Sequence, residues 1–312
     1  MRIHKFFLSI KYFGIQFTIL KILARLFRRF SIYTIIMKKT EFCIKRYLKN
    51  QYANIINNFN VNDLRQNSEI RVENYKVWVF WWQGEENMPE IIKICYKRLL
   101  EYANGNHVIL VTEKNYETYV NIPEYIIKKV NKNIISLTHF SDILRVCLLY
   151  EHGGLWLDAT VFITAPLELF SFNFYSLKCK NDLWENINHK RWLSFILYSS
   201  CHNILPEFVR SIFFEYFRFH KTMMDYYLFD YIIDIGYDTI PGITKLIDNI
   251  PPSDAIPHFI HNNFNNKFDI TEYNKICDTT HFHKLNWKIN CCKYTKNNEL
   301  TYYGYILQSG VK

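Results

Sequence analysis

Three apolar runs with the chemistry of buried strands, spaced by helix-length stretches, constrain this chain more than any other feature. Val77-Trp-Val-Phe-Trp-Trp82 is continuous, β-branched and aromatic, the pattern of a strand covered on both faces. Gln83-Gly84 ends it, and Pro89 opens a helix through Ile91, Ile92, Cys95, Leu99 and Leu100 that closes near Asn104-Gly105. The run His107–Thr112 repeats the strand pattern. Short helices are expected around residues 114–120 and 123–130, and a longer one over about Thr138–His152 stops at Gly153-Gly154. Leu155–Ile163 reads as one further strand. This alternation predicts an α/β domain with a mostly parallel sheet. Ligands of such sheets sit at the carboxyl ends of the strands, which points at Gln83-Gly84, Thr112 and Asp158. Beyond Pro166, helices are expected near Pro206–His220 and Met223–Gly236, before a loop-rich end.

Composition narrows the class. With 9 Gly and 8 Pro in 312 residues, 49% apolar and 21% charged, the chain is neither collagen-like nor disordered. It is long enough for one large domain or two small ones. Most of its 23 Tyr and 25 Phe are expected in the core. Its 8 Cys form no Cys-x-x-Cys pair and no disulfide framework, so buried reduced thiols of a cytosolic protein are expected and a zinc site is not.

Charge is uneven. Residues 1–50 carry 12 Lys/Arg and one acid, Glu41, for +11; the remaining 26 Lys/Arg and 28 Asp/Glu give −2. In the arm, Phe6, Phe7, Ile10, Phe13, Phe17, Leu20, Leu23, Phe27 and Phe30 recur at three- and four-residue spacing, with Lys11, Lys21, Arg25, Arg28 and Arg29 mostly off that stripe. A basic amphipathic helix of this kind fits an anionic membrane surface; the plain alternative is a helix packed on the body with a solvated basic face. No signal peptide is expected, because Lys11 breaks the apolar run. No membrane span is expected either, because the longest uncharged stretch in the arm runs only from Tyr12 to Leu20. Nucleic acid is not an expected partner, since the rest of the chain is slightly acidic and carries no such motif. The expected organisation is a basic amphipathic helical arm over 1–36, a helical segment and Asn-rich connector over 37–74, and the α/β domain over 75–312.

Three features carry the candidate chemistry. Asp142 and Arg145 share a helix face, which alone favours a structural ion pair. Gly153-Gly154 stands between helix and strand, where glycine permits a tight turn. Asp158 interrupts an apolar strand, and a carboxylate there must be paired, hydrogen-bonded or bound to a cation. Weaker candidates are Asp225, Asp230 and Asp234, of which Asp230 fits an acceptor base, although a solvated helix edge explains all three. Trp184 and Trp192 fit sugar stacking or core packing.

The stretch His139-Phe-Ser-Asp-Ile-Leu-Arg145 through Gly153-Gly-Leu-Trp-Leu-Asp-Ala-Thr160, with Trp82-Gln-Gly-Glu85 upstream and His283-Lys-Leu-Asn-Trp-Lys288 downstream, resembles the capsular polysaccharide synthesis protein family. That family is akin to glycosyltransferases with an Asp-x-Asp sugar-binding region. The resemblance implies a GT-A-like, Rossmann-like nucleotide-binding fold behind the N-terminal helical extension. It implies a nucleotide-sugar-dependent hexosyltransferase of bacterial capsule synthesis, peripheral at the cytoplasmic face of the plasma membrane, acting on a saccharide or lipid-linked saccharide. Asp142 and Arg145 would hold donor-sugar hydroxyls, and Asp158 the donor ribose or a divalent cation, Mn2+ or Mg2+. Gln83, Gly84, Gly153 and Gly154 would line the nucleotide pocket. His283, Lys284 and Lys288 would close over the diphosphate, His283 as a second metal ligand. The motif here is Asp158-Ala159-Thr160, with a hydroxyl where the wider family has its second carboxylate. That change leaves three alternatives open: a cation held by Asp158, a C-terminal His and the diphosphate; neutralisation by Lys284 and Lys288 with no metal; or a non-catalytic scaffold.

Overall fold

The computed structural model describes residues 3–61, 74–168, 172–180 and 187–309. In chain order these form α1 (Ile3–Phe13), α2 (Ile15–Leu26), α3 (Ile32–Gln51), α4 (Ala53–Val61), β1 (Lys76–Phe80), α5 (Glu90–Glu101), β2 (His107–Val111), α6 (Tyr116–Tyr119), α7 (Glu124–Asn131), α8 (Leu137–His152), β3 (Gly154–Leu157) and β4 (Val161–Ile163). There follow β5 (Phe174–Tyr175), β6 (Lys178–Cys179), β7 (Ile196–Ser199), α9 (Ile204–Phe219), α10 (Leu228–Thr239), α11 (Pro241–Asp248), β8 (Pro252–Ser253), α12 (Phe259–Asn262), α13 (Ile270–Thr279), β9 (Phe282–Lys284) and α14 (Tyr302–Ser309). The fold is mixed α/β. The chain divides into two units, one of Met1–Gln66, Asn121–Cys147 and Ile204–Lys245, the other of Asn67–Val120, Leu148–Asn203 and Leu246–Lys312.

The first unit is helical. α3 buries Ile36, Thr40, Ile44 and Leu48, a four-residue repeat along one face. It runs unbroken through residue 36, so the arm and the segment after it share a helix. Carboxylates of the 225–238 stretch hold this helical array by charge. Lys45 Nζ lies 2.5 Å from Asp234 and 3.0 Å from Asp238, and Lys49 lies 3.2 Å from Asp238. Lys21 pairs with Asp225. Burial pulls the Lys45 ammonium down, but its hydrogen bonds to Asp234 and Asp238 outweigh that and hold it above its ordinary value. The expectation of a solvated acidic edge is thus corrected for Asp225 and Asp234, both buried, the first paired with Lys21 of the arm and the second with Lys45 of α3. Asp225 also precedes the helix, which begins at Leu228 and not near Met223; its carboxylate accepts from the Tyr227 N–H at 2.9 Å.

The second unit is built on a five-stranded sheet ordered β2-β1-β3-β7-β5. β1 pairs in parallel with β2, from Lys76↔His107 to Phe80↔Val111, and with β3 through Val77↔Leu155 and Trp78↔Trp156. β7 and β5 are antiparallel. All of β3 is buried, as its apolar sequence requires. The expected strand over Leu155–Ile163 breaks in two: Asp158-Ala159-Thr160 forms a turn closed by the Val161 N–H donating to the Asp158 carbonyl at 2.9 Å. After the turn, β4 leaves the main sheet and pairs with β9. Within the expected helical segment and connector of 37–74, the helices run on to Val61; residues 62–73, and Trp184, lie outside the described residues. Among the described residues no helix is long and apolar enough to cross a membrane.

Gly154 sets how closely β3 approaches β1. A Cβ there would stand 2.2 Å from the Lys76 carbonyl oxygen, and its φ of +97° already disfavours an L side chain. Gly84 shares a positive φ, +82°, but has nothing within 4 Å of a Cβ. Chemical denaturation should therefore separate them. Gly154→Ala is expected to cost about 3 kcal/mol or more through strain and a backbone clash, and Gly84→Ala only about 1–2 kcal/mol of backbone strain.

Candidate functional site

Asp158 ends β3 as it leaves the core, where an indole and an ammonium meet its carboxylate. The Trp156 indole N–H donates to Oδ1 at 2.9 Å, and the Lys284 ammonium lies 2.5 Å from Oδ2. The same ammonium donates to the Thr160 hydroxyl at 2.6 Å. Lys284 thus bridges the first and third positions of the Asp-Ala-Thr turn. Backbone pairing brings it there: Val161↔Lys284, Phe162↔His283 and Ile163↔Phe282 are in register, and the Leu285 N–H donates to the Thr160 carbonyl at 2.9 Å. Phe195, whose carbonyl accepts from the Asp158 N–H at 3.0 Å, places its ring 5.4 Å below the ammonium. Asp158 and Lys284 are each about one quarter exposed, so the cluster is open to a ligand.

The same closing segment reaches the end of β1. Trp287 packs edge-on to Trp81 at 5.7 Å, and the Lys288 ammonium lies 5.2 Å from the Trp287 ring. Gln83 is exposed in the loop after β1, where the Gly84 N–H donates to the Trp81 carbonyl and the Asn87 side-chain amide to the Gln83 carbonyl. Gln83, Gly84, Asp158, Lys284 and Lys288 therefore gather around the carboxyl ends of β1 and β3. Strand order turns around there, since β1 connects onward to β2 on one side and has β3 on the other.

The remaining expected site residues belong to other elements. Gly153 and Gly154 lie at the opposite end of β3. A Cβ on Gly153 would meet the Cys201 nitrogen at 2.7 Å, so backbone fills the space beside both glycines and they serve strand packing, not a nucleotide pocket. Asp142 and Arg145 belong to the first unit and pair at 3.1 Å. Arg145 is buried with its guanidinium 5.0 Å from the Phe229 ring, the structural ion pair that the spacing alone favours. Asp230, also in the first unit, sits in the first turn of α10, where a carboxylate suits the helix dipole. Trp192 is 0% exposed and is core, so it offers no face to a sugar.

His283 is the main correction. Strand alternation turns it away from Lys284 and Asp158. It is fully buried, with Nε2 3.4 Å from the Thr164 hydroxyl and 3.8 Å from the Cys277 sulfur. A divalent cation shared by Asp158 and His283 does not fit these residues. The carboxylate already holds an indole N–H and an ammonium, Thr160 holds the same ammonium, and the imidazole is on the other face.

Trp156, Phe195, Trp81 and Trp287 were not expected at the site. Trp156 was within reach of sequence reasoning, because residues two apart on a strand share a face. His261 is a further neighbour: burial lowers its pKa, and the charge of Lys284 adds to the shift.

Residues 25–306 match the model of the family described as capsular polysaccharide synthesis protein. The chain belongs to this family. The match takes in the Asp-Ala-Thr turn and the closing segment His283–Lys288 of this capsular polysaccharide synthesis family member. Among solved structures, one titled "PaToxG Glycosyltransferase" aligns with 65% of this chain and 82% of its own, at 13% identity and a TM-score of 0.40. No curated protein matches the chain.

Burial drives the His283 pKa from 6.5 down to about 3. The unfolded chain binds this proton below about 6.5 and the folded chain does not until about 3. Stability from this site is therefore complete above pH 6.5 and is lost as pH falls toward 3, by up to about 1.4 kcal/mol per pH unit. Urea unfolding across this range should show that decline, and His283→Gln should flatten it.

Proposed function

We propose that the chain is a glycosyltransferase. It moves a sugar from a nucleotide-sugar donor to a saccharide or lipid-linked saccharide in capsule or related surface-polysaccharide synthesis, at the cytoplasmic face of an anionic membrane. The observation that carries this reading is the position of the Asp158–Thr160–Lys284 cluster. It stands at the carboxyl ends of the central parallel strands, where strand order reverses, in a member of a polysaccharide-synthesis family.

In glycosyl transfer the bond from the anomeric carbon to the diphosphate oxygen breaks, and its electron pair leaves with the diphosphate. The acceptor oxygen forms the new bond, and its proton passes to the departing diphosphate oxygen. The departing diphosphate needs positive charge placed in advance. On this reading Lys284 and Lys288 supply it, Lys284 turning from Asp158 to the phosphate. Asp158 and Thr160 are then released to accept hydrogen bonds from donor hydroxyls. Trp81 and Trp287 offer aromatic surface beside the nucleotide, with Gln83-Gly84 as the loop that meets it.

A second reading, a non-catalytic scaffold that keeps the fold, draws support from the same clasp, because the charges of Asp158 and Lys284 already satisfy one another. A thermal-shift panel of nucleoside diphosphates and nucleotide sugars, with EDTA or Mn2+, separates the two. The transferase reading expects one nucleotide class to stabilise the protein. At about 100 times its dissociation constant the gain is about 2.7 kcal/mol. The shift should survive EDTA, weaken at least tenfold in ligand concentration for Lys284→Met, and be accompanied by donor turnover that Asp158→Asn removes. No shift with any nucleotide favours the scaffold.

A further inference from the structure

The cations of α3 divide into two sets. Lys45 and Lys49 are paired with Asp234 and Asp238. Lys38, Lys39 and Arg46 are exposed and have no carboxylate partner among the described residues. These three alternate with Ile35 and Phe42 at three- and four-residue spacing, so a basic and apolar stripe runs along one side of the helix. Phe42 is 64% exposed and Ile35 58%. Across from them stand Phe13, Phe17 and Leu20 of the first two helices, and between lies an open groove of about 850 Å3, all within the first unit. Lys38, Lys39 and Arg46 lie along its lining. The turn between α2 and α3 continues the pattern: Leu26 is 66% and Phe30 62% exposed, beside exposed Arg25, Arg28 and Arg29.

An apolar trough with unpaired cations along it matches one chemistry, an amphiphile with an anionic head. The volume falls within the roughly 300–1,000 Å3 usual for small-molecule sites, enough for one lipid chain and its phosphate. We propose that this groove binds a phosphate-headed lipid of an anionic bilayer, the chain against Phe13, Phe17, Leu20 and Phe42 and the phosphate at Lys38, Lys39 and Arg46. Leu26 and Phe30 enter the interface beside it. This places the membrane contact on the outward face of α3, past residue 36, and not on the arm alone. It deepens the membrane part of the proposed function and rests on it, but needs no donor chemistry.

The full chain, without nucleotide, is mixed with vesicles of phosphatidylcholine or of phosphatidylcholine with phosphatidylglycerol, and pelleted protein is measured. A negative result leaves the donor site untouched, because the nucleotide panel reads that separately. Binding is expected on the anionic vesicles only. The combined Lys38→Gln, Lys39→Gln and Arg46→Gln variant should lose about 100-fold, near fivefold per charge. Phe42→Gln should weaken binding with every charge kept, and soluble dihexanoyl phosphatidic acid should raise the melting temperature where inorganic phosphate does not. All four substitutions are on exposed positions, and unchanged circular dichroism would show the fold intact. The proposal is overturned if the triple variant or Phe42→Gln binds as before. It is also overturned if Arg25→Gln, Arg28→Gln and Arg29→Gln together remove all binding while the α3 set removes none, or if single-stranded DNA is retained with the same charge dependence and the vesicles are not.

Discussion

The charge of Asp158 is the constraint from which the second unit is organised. A carboxylate held at the end of a strand buried along its whole length, and itself only about one quarter exposed, is stabilised by a nearby positive charge. The partner comes from 126 residues further along the chain, and bringing it there requires β9 to pair with β4 just beyond the turn. One electrostatic demand thus ties the closing segment to the end of the central sheet. Once tied, the segment also carries Trp287 to Trp81, so that the ends of β1 and β3 are furnished from the same stretch of chain. The close approach of β1 and β3 that makes these two ends neighbours is itself permitted by Gly154.

The first unit solves a different charge problem. Its N-terminal half carries the excess of positive charge, and only part of that excess is used internally. Lys21, Lys45 and Lys49 meet Asp225, Asp234 and Asp238, which turns a stretch of like charge into a set of cross-helix pairs. The cations left over share a face with exposed Phe and Ile side chains. A helix made only to pack would have placed polar residues there. Packing therefore does not use up the basic and apolar surface of this region: α3 packs with one face and leaves the other exposed.

Much of the fold was legible because its signals are local. The apolar runs at 77–82 and 107–112 and the helices ending at Asn104-Gly105 and Gly153-Gly154 depend on neighbours in sequence, and they stand within a few residues of where periodicity and glycine place them. The break at Asp158 was hidden because Ala159, Thr160 and Val161 are as compatible with a strand as with a turn. What decides it is β9, which no local pattern announces. For the same reason the motif residues were legible and their partners were not. Asp158 stood out as a charge in an apolar run, but whether His283 or Lys284 would meet it depended on the register of a distant strand pair. A shift of one residue would have exchanged them. The glycines misled in another way, since the turn they permit serves close packing at the amino end of β3.

The substitution of Thr160 for a second carboxylate makes physical sense beside Lys284. Two carboxylates in this turn would repel one another and the diphosphate of a donor, and only a dication would make such a site attractive to an anion. With one carboxylate and a hydroxyl, a single ammonium balances the turn by itself and donates to both groups. Lys288 then leaves the closing segment with a surplus of positive charge. On the proposed reading this cluster would meet an anion through Lys284, because the place between its first and third residues already holds an ammonium on a flexible stem. That stem lets Lys284 follow a phosphate without breaking the backbone pairing that delivers it. In the proposed transferase, a hydroxyl at Thr160 beside Lys284 would let the site carry on the chain the positive charge that a second carboxylate would have to recruit as a cation.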